Sequence, residues 1–148
     1  MLALTGGCHC GNLQLTLEIG RPPDQVPVRA CACSFCRAHG ARTVTDPGGQ
    51  VRLRAREPAE LGRYQFGQRT AEFLVCRRCG VYVAAVMSAT DGSLRATVNV
   101  NALAEGARFS REAIEVDYSG ESAAERLARR AAGWTPAQWD AATDQPAG

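Results

Sequence analysis

The chain contains no lysine; all 17 of its basic residues are arginine. Chemistry that runs through a side-chain amine, such as Schiff-base formation, is therefore excluded. Aromatic residues make up only 6% of the sequence, and no basic run is interleaved with them. A stacking platform for nucleic acid is not expected. Apolar runs are short, and no window approaches the ~18 residues of a membrane span. The first residues, Met1-Leu2-Ala3-Leu4-Thr5-Gly6-Gly7, offer neither a basic n-region nor a long apolar h-region. The expectation is a cytoplasmic protein with no membrane partner.

What remains is an ordinary globular composition, 45% hydrophobic and 22% charged over 148 residues. That length suits one domain and is long enough to bury a core without covalent staples. The unusual feature is cysteine, present seven times. In a reducing compartment, clustered thiols point to metal binding or catalysis rather than to a disulfide framework. The formal net charge is +2. Seven thiolates around two zinc ions would turn it slightly negative, so it gives no argument for nucleic acid.

The first part of the chain reads as short strands. Leu13, Leu15, Leu17 and Ile19 alternate with polar residues, the period of a half-buried strand. Arg21-Pro22-Pro23-Asp24 ends it, and Asp46-Pro47-Gly48-Gly49 forms a turn before the alternating Val51 and Leu53. Tyr64 and Phe66 mark a further strand that ends near Gly67. Residues 73–75 and 81–86 form a hairpin with a cysteine pair at its tip, and Asp91-Gly92 signals a second hairpin. Beyond them, Ser122-Ala123-Ala124-Glu125 fits a capping box. Ala124, Leu127, Ala128 and Ala131 follow at helical spacing, up to Gly133. Thr135-Pro136-Ala137-Gln138 reads as a second helix start with Pro at its first position. Trp134 and Trp139 read as core residues, and Gln145-Pro146-Ala147-Gly148 as a frayed tail.

The cysteines fall into three groups: Cys8-His9-Cys10, Cys31-Ala32-Cys33-Ser34-Phe35-Cys36, and Cys76-Arg77-Arg78-Cys79. Seven is four plus three, which matches one closed structural zinc site and one site with an open position. Gly11 follows Cys10 and Gly80 follows Cys79. Glycine there permits the positive φ that turns a chain around an ion. This favours joining Cys8 and Cys10 to Cys76 and Cys79, and leaves Cys31, Cys33 and Cys36 on one loop. Spacing also allows Cys33 and Cys36 to join Cys76 and Cys79 as a ribbon. The three-cysteine loop admits other readings: a structural zinc completed by His39 or an acid, a redox triad, or an iron–sulfur site. His9 and His39 read as loop histidines, and Arg77 and Arg78 as counter-charges to a four-thiolate ion.

Gly6-Gly7-Cys8-His9-Cys10-Gly11, Cys31 to Arg37, and Cys76-Arg77-Arg78-Cys79-Gly80 together resemble the glutathione-dependent formaldehyde-activating enzyme family, which includes centromere protein V. The likeness spans residues ~5–118, and three spaced motifs in order carry it. It implies a mainly β, β-tent fold of antiparallel sheets folded around a structural zinc, with a short C-terminal helix. It further implies structural zinc on Cys8, Cys10, Cys76 and Cys79, and a labile zinc on Cys31, Cys33 and Cys36. The last three then become the candidate catalytic residues of a carbon–sulfur lyase-type enzyme. Its partners would be a small thiol, glutathione or similar, and an aldehyde. Arg37 is the nearest candidate for holding a substrate carboxylate. The other reading is a non-catalytic module that binds zinc or a thiol adduct. Residues 1–118 form the expected zinc-binding domain, and 119–148 a helical extension packed on it.

Overall fold

The structure, a computed structural model, describes residues 1–140; the tail at 145–148 lies outside them. Along the chain run β1 (Leu2–Gly7), β2 (Leu13–Ile19), β3 (Arg29–Cys31), the short helix α1 (Ser34–Ala38), β4 (Thr43–Val44), β5 (Gln50–Ala55) and β6 (Leu61–Tyr64). There follow β7 (Glu72–Cys76), β8 (Tyr82–Ser88), β9 (Leu94–Asn99), β10 (Ile114–Val116), α2 (Ala123–Gly133) and β11 (Thr135–Trp139). The chain is mainly β, as expected. The strands form one hydrogen-bonded network, and it is mixed rather than wholly antiparallel: β10 pairs parallel with β3, and β11 with β5.

Alternation in β2 works as the sequence pattern requires. Leu13, Leu15, Leu17 and Ile19 are all buried, and Leu15 and Leu17 lie opposite Leu53 and Val51 of β5. The cysteine-tipped hairpin is β7 and β8. The second hairpin is β8 and β9, where Asp91 Oδ1 accepts from the Ser93 N–H at 2.9 Å. β6 stops at Tyr64, short of Phe66.

The network forks at β9. One edge pairs along its length with β8. The other is shared: residues 94–96 pair with β11, while Val98 and Asn99 pair with β4. β8 has no solvent face from Tyr82 to Met87. Val83, Ala84 and Val86 belong to the main core, and Tyr82, Ala85 and Met87 to a smaller apolar cluster with Cys36, Ala41, Ala71 and Trp134. A continuous apolar run is the sequence form of a strand buried on both sides.

Two expectations for the C-terminal region are corrected. The segment 135–139 is a strand, not a helix start, and it fills the gap between β5 and β9. Pro136 lies opposite Arg95, and pairing with β5 starts only at Ala137. A proline is tolerated near a strand's start, where its missing N–H removes no ladder bond. Tertiary pairing thus overrides the local Thr-Pro signal. In α2 the capping box forms, with Ser122 Oγ accepting from the Glu125 N–H at 3.1 Å and Glu125 accepting from the Ser122 N–H at 3.0 Å. The inward face, however, is not the alanine stripe. Ala124 and Ala128 are exposed, whereas Leu127 is half-buried and Arg130 is buried. Alanine has little surface to bury, while an arginine stem covers more.

No helix among the described residues is long and apolar enough to cross a membrane. The turn at residues 46–49 is knotted into the sheet by polar contacts. Asp46 accepts from the N–H groups of Gly20 and Gly48, and its own N–H donates to Thr135 Oγ1 at 2.9 Å, where Thr135 is fully buried. Thr135→Val should leave that buried N–H without a partner and cost about 1–3 kcal/mol, a drop of several degrees in Tm for a domain of this size. Thr135→Ser should recover most of the loss. Thermal unfolding of the two variants beside the native protein checks this, and equal Tm values for Val and Ser would refute it.

Candidate metal centre and cavity

The sequence brings four thiols together from two distant turns. The turn after β1 carries Cys8 and Cys10, and the tip of the β7–β8 hairpin carries Cys76 and Cys79. Their Sγ atoms all lie within 4.8 Å of one another. Cys8 to Cys10 is 3.7 Å and Cys10 to Cys76 is 3.6 Å. A tetrahedral ion with metal–sulfur bonds of ~2.3 Å requires sulfur–sulfur spacings of about 3.8 Å. The donor set therefore fits zinc in type and in size. Gly11 and Gly80 adopt φ of 84° and 79°, as the glycine argument requires. Each donates its N–H back to the first cysteine of its turn, to the carbonyls of Cys8 and Cys76. The Leu13 N–H donates to Cys8 Sγ at 3.1 Å. Burial pushes the Cys79 thiol up, but N–H groups of Cys10 and Val81 and the thiols of Cys76 and Cys8 outweigh it and bring it down to about 6.

Arg77 does not turn back to this cluster. Its Nη1 donates to the Ala59 carbonyl at 3.1 Å and its N–H to the Glu60 carbonyl, so it fixes the turn before β6. Arg78 and His9 are exposed.

The second cluster is Cys31, Cys33 and Cys36, again with all Sγ atoms within 4.8 Å. It is more ordered than a loop. Cys31 ends β3, Cys33 caps α1, and Cys36 lies within α1, where its N–H donates to Cys33 Sγ at 3.4 Å. The Cys31 and Cys36 thiols donate to Cys33 and hold it down to about 2. Its contacts with Cys31 and Cys33, followed by burial, push Cys36 up. Among the described residues no fourth His, Cys, Asp or Glu joins them. His39 is exposed, its ring 4.5 Å from Phe35 and 5.6 Å from Tyr82.

These three cysteines line a cavity of about 370 Å³. One wall is aromatic, with Phe66, Phe73 and Tyr82. Phe35 ties these rings together, its centroid 4.7 Å from Phe73 and 4.9 Å from Tyr82. Tyr82 is buried, and burial, followed by the charges of Cys36, Cys33 and Cys31, raises its pKa well above the usual phenol value. Another part of the lining is cationic. Arg29 comes from β3, and Arg126, Arg129 and Arg130 come from α2, with Asp117 as an acid in the lining. Arg37 is exposed on α1 and outside this lining.

Sequence reasoning missed Tyr82 and the four arginines of the wall. A signal existed for α2: Arg126, Arg129 and Arg130 stand at helical i, i+3, i+4 spacing, hence on one face. Trp134 and Trp139 do pack inward. Trp134 is in the cluster beside the cavity, and Trp139 packs on the main core with the Arg63 guanidinium 4.8 Å from its ring centroid.

The comparisons agree with the geometry. A crystal structure of a Rhodobacter sphaeroides protein, a structural-genomics target, is similar at 33% sequence identity with a TM-score of 0.59. The alignment covers 76% of this chain and 100% of that one. The family model described as glutathione-dependent formaldehyde-activating enzyme matches residues 3–117, a span that holds all seven cysteines and ends before α2 and β11. By that match, with both thiol clusters assembled inside it, the chain belongs to the glutathione-dependent formaldehyde-activating enzyme family.

Proposed function

We propose that the protein is a zinc-dependent enzyme of carbon–sulfur lyase type, which makes or breaks S-hydroxymethyl adducts between a small thiol and an aldehyde. The observation that carries this reading is the placement of the three-thiol cluster. It opens onto a cavity, whereas the four-thiol cluster is anchored in the main core by Cys8 and Cys76 and lines no part of that cavity. Three protein ligands facing a cavity leave room for a substrate atom, and four do not. Cys8, Cys10, Cys76 and Cys79 would hold the structural ion, and Cys31, Cys33 and Cys36 the labile one. When bound, the second zinc supplies a lowered thiol pKa and a Lewis acid for the aldehyde oxygen. The chain's part is to hold both reactants beside Cys33, against the aromatic wall and away from bulk water. In the addition, the sulfur–carbon bond forms, the carbonyl π bond opens, and the thiol proton ends on oxygen; the lyase direction reverses each change. Arg37, at the outer side of α1, is proposed only as a contact for a ligand group that reaches past the rim. All seven cysteines are free thiols, which suits a reducing compartment, and we place the protein in the cytoplasm.

Metal analysis of freshly reduced protein should give two zinc ions per chain at full loading, the second lost more readily to a chelator. One ion at saturation, or iron, would refute the assignment. Cys8→Ser should abolish cooperative thermal unfolding. Structural zinc sites contribute ~10–16 kcal/mol of apparent binding free energy, against a domain stability of ~5–15 kcal/mol. Cys33→Ser should keep Tm within a few degrees of native and lose thiol–aldehyde adduct formation, followed by proton NMR with several thiols. Its three ligands lie within six residues, so its ion ties together little chain. Adduct formation that survives this substitution would favour the non-catalytic thiol-binding reading instead.

A further inference from the structure

Of the four arginines that line the cavity, two already have carboxylate partners. Glu121 accepts from Arg129 Nε at 2.8 Å and from Arg126 Nε at 3.4 Å. Arg130 is different. It is only 8% exposed, yet it forms no ion pair among the described residues. Thr70 Oγ1 accepts from its Nη1 at 2.8 Å, and its Nε is buried with no partner. A guanidinium offers five N–H donors and does not deprotonate in proteins. Arg130 therefore remains a buried cation with no carboxylate partner and an unpaired Nε–H, a state that is costly to leave uncompensated. Its position is nonetheless held. The Trp134 ring packs against the guanidinium, 4.8 Å from centroid to carbon, and Thr70 fixes one edge.

Two other buried arginine Nε atoms lack partners, and neither matches it. Arg63 pairs with Glu72 at 3.6 Å, and neither Arg63 nor Arg95 lines the cavity. Arg130 alone joins burial, an absent counter-ion and a place in the wall beside Cys31, Cys33 and Cys36. The pull on its pKa agrees with that setting: burial, then Arg129 and Arg126, lower it to about 10, while Glu121 and Cys31 act the other way. A pocket wall with a cation of this kind is complementary to a ligand anion, and the planar fork matches a carboxylate with two parallel hydrogen bonds.

We infer that Arg130 receives a carboxylate of the thiol ligand, so that α2, which lies outside the family match, restricts the cavity to anionic thiols. The inference rests on the reading that the cavity takes a thiol. It adds which thiols are accepted and which residue selects them, and it places the selecting group on a segment separate from all seven cysteines.

The test is calorimetric binding of 3-mercaptopropionate and of its methyl ester to the zinc-loaded full chain, with no aldehyde present. The native protein should bind the acid at least about tenfold more tightly than the ester, the order expected for charge-assisted hydrogen bonds. In Arg130→Gln that ratio should fall below about threefold while ester affinity stays within twofold of native. Equal affinity of acid and ester in the native protein would overturn the role of Arg130 and leave the thiol-binding reading standing; this arm needs no variant to fold. Failure of both ligands to bind would overturn both. A native-sized acid preference retained in Arg130→Gln would pass the role to another arginine and overturn this assignment. Glyoxylate tests the other source of a carboxylate. If Arg130→Gln weakens glyoxylate but not 3-mercaptopropionate, the group belongs to the aldehyde and the inference fails.

Discussion

Strand β8 must be covered on both faces, and most of the architecture follows from that. Residues 82–87 are all buried. Val83, Ala84 and Val86 belong to the main core, together with the leucines and valines of β2 and β5. For Tyr82, Ala85 and Met87, the cover is assembled from α1, the aromatic residues around Phe73 and the end of α2. Small residues at Ala84 and Ala85 keep β8 thin, so both layers can approach it. A strand cannot be apolar on two sides unless two layers exist to receive it. The second layer carries the cavity, because a short helix, a few aromatic side chains and the end of α2 do not fill the space as a full sheet would. The division between a sealed core and an open one is thus a consequence of how much chain is available to cover each face.

The two thiol clusters sit on opposite sides of that division, and their chain spacing suits different roles. The first joins turns whose cysteines stand 66 positions apart. It sits where the main core reaches the surface, with Cys8 and Cys76 buried and Cys10 exposed. An ion held there would constrain most of the domain. The second cluster is local, and its thiols line the cavity, so an ion held there would do little for the fold and would be accessible to ligands. The same element, a cysteine turn with sulfur accepting backbone N–H groups, serves both places. What differs is the number of sulfurs and what lies beyond them.

The legible part of the fold was whatever repeats locally. Alternation in β2, the capping box before α2, the Asp91-Gly92 hairpin and the glycine after Cys10 and Cys79 each depend on neighbours in sequence. β11 was not legible, because Thr135-Pro136 carries a helix-start signal and only the gap between β5 and β9 makes it a strand. β10 is three residues long and pairs parallel with β3, which no local period announces. The inward face of α2 is hidden for a similar reason. Its alanines suggested an apolar stripe, but the space beside the cavity takes arginine stems and Trp134. In the candidate site, the two cysteine groupings are legible from spacing and glycine, and the cavity wall is not, since its residues come from strands far apart in the chain, from α2 and from the turns between.

The C-terminal segment therefore links fold and site more closely than its position suggests. β11 is hydrogen-bonded on both edges, and Thr135 at its start accepts from Asp46. Those contacts fix where α2 ends, because Trp134 is the residue between them, with its N–H donating to the Arg130 carbonyl at 2.8 Å. Arg130 is thus held from both ends, by the strand that follows it and by Thr70 on its side chain. A wall fixed in this way costs little to order when a ligand arrives, which is the condition for a single charged contact to discriminate. Since β3 and α1 position the thiols by contacts of their own, substitutions in the wall can change what the cavity accepts while leaving the thiol cluster intact.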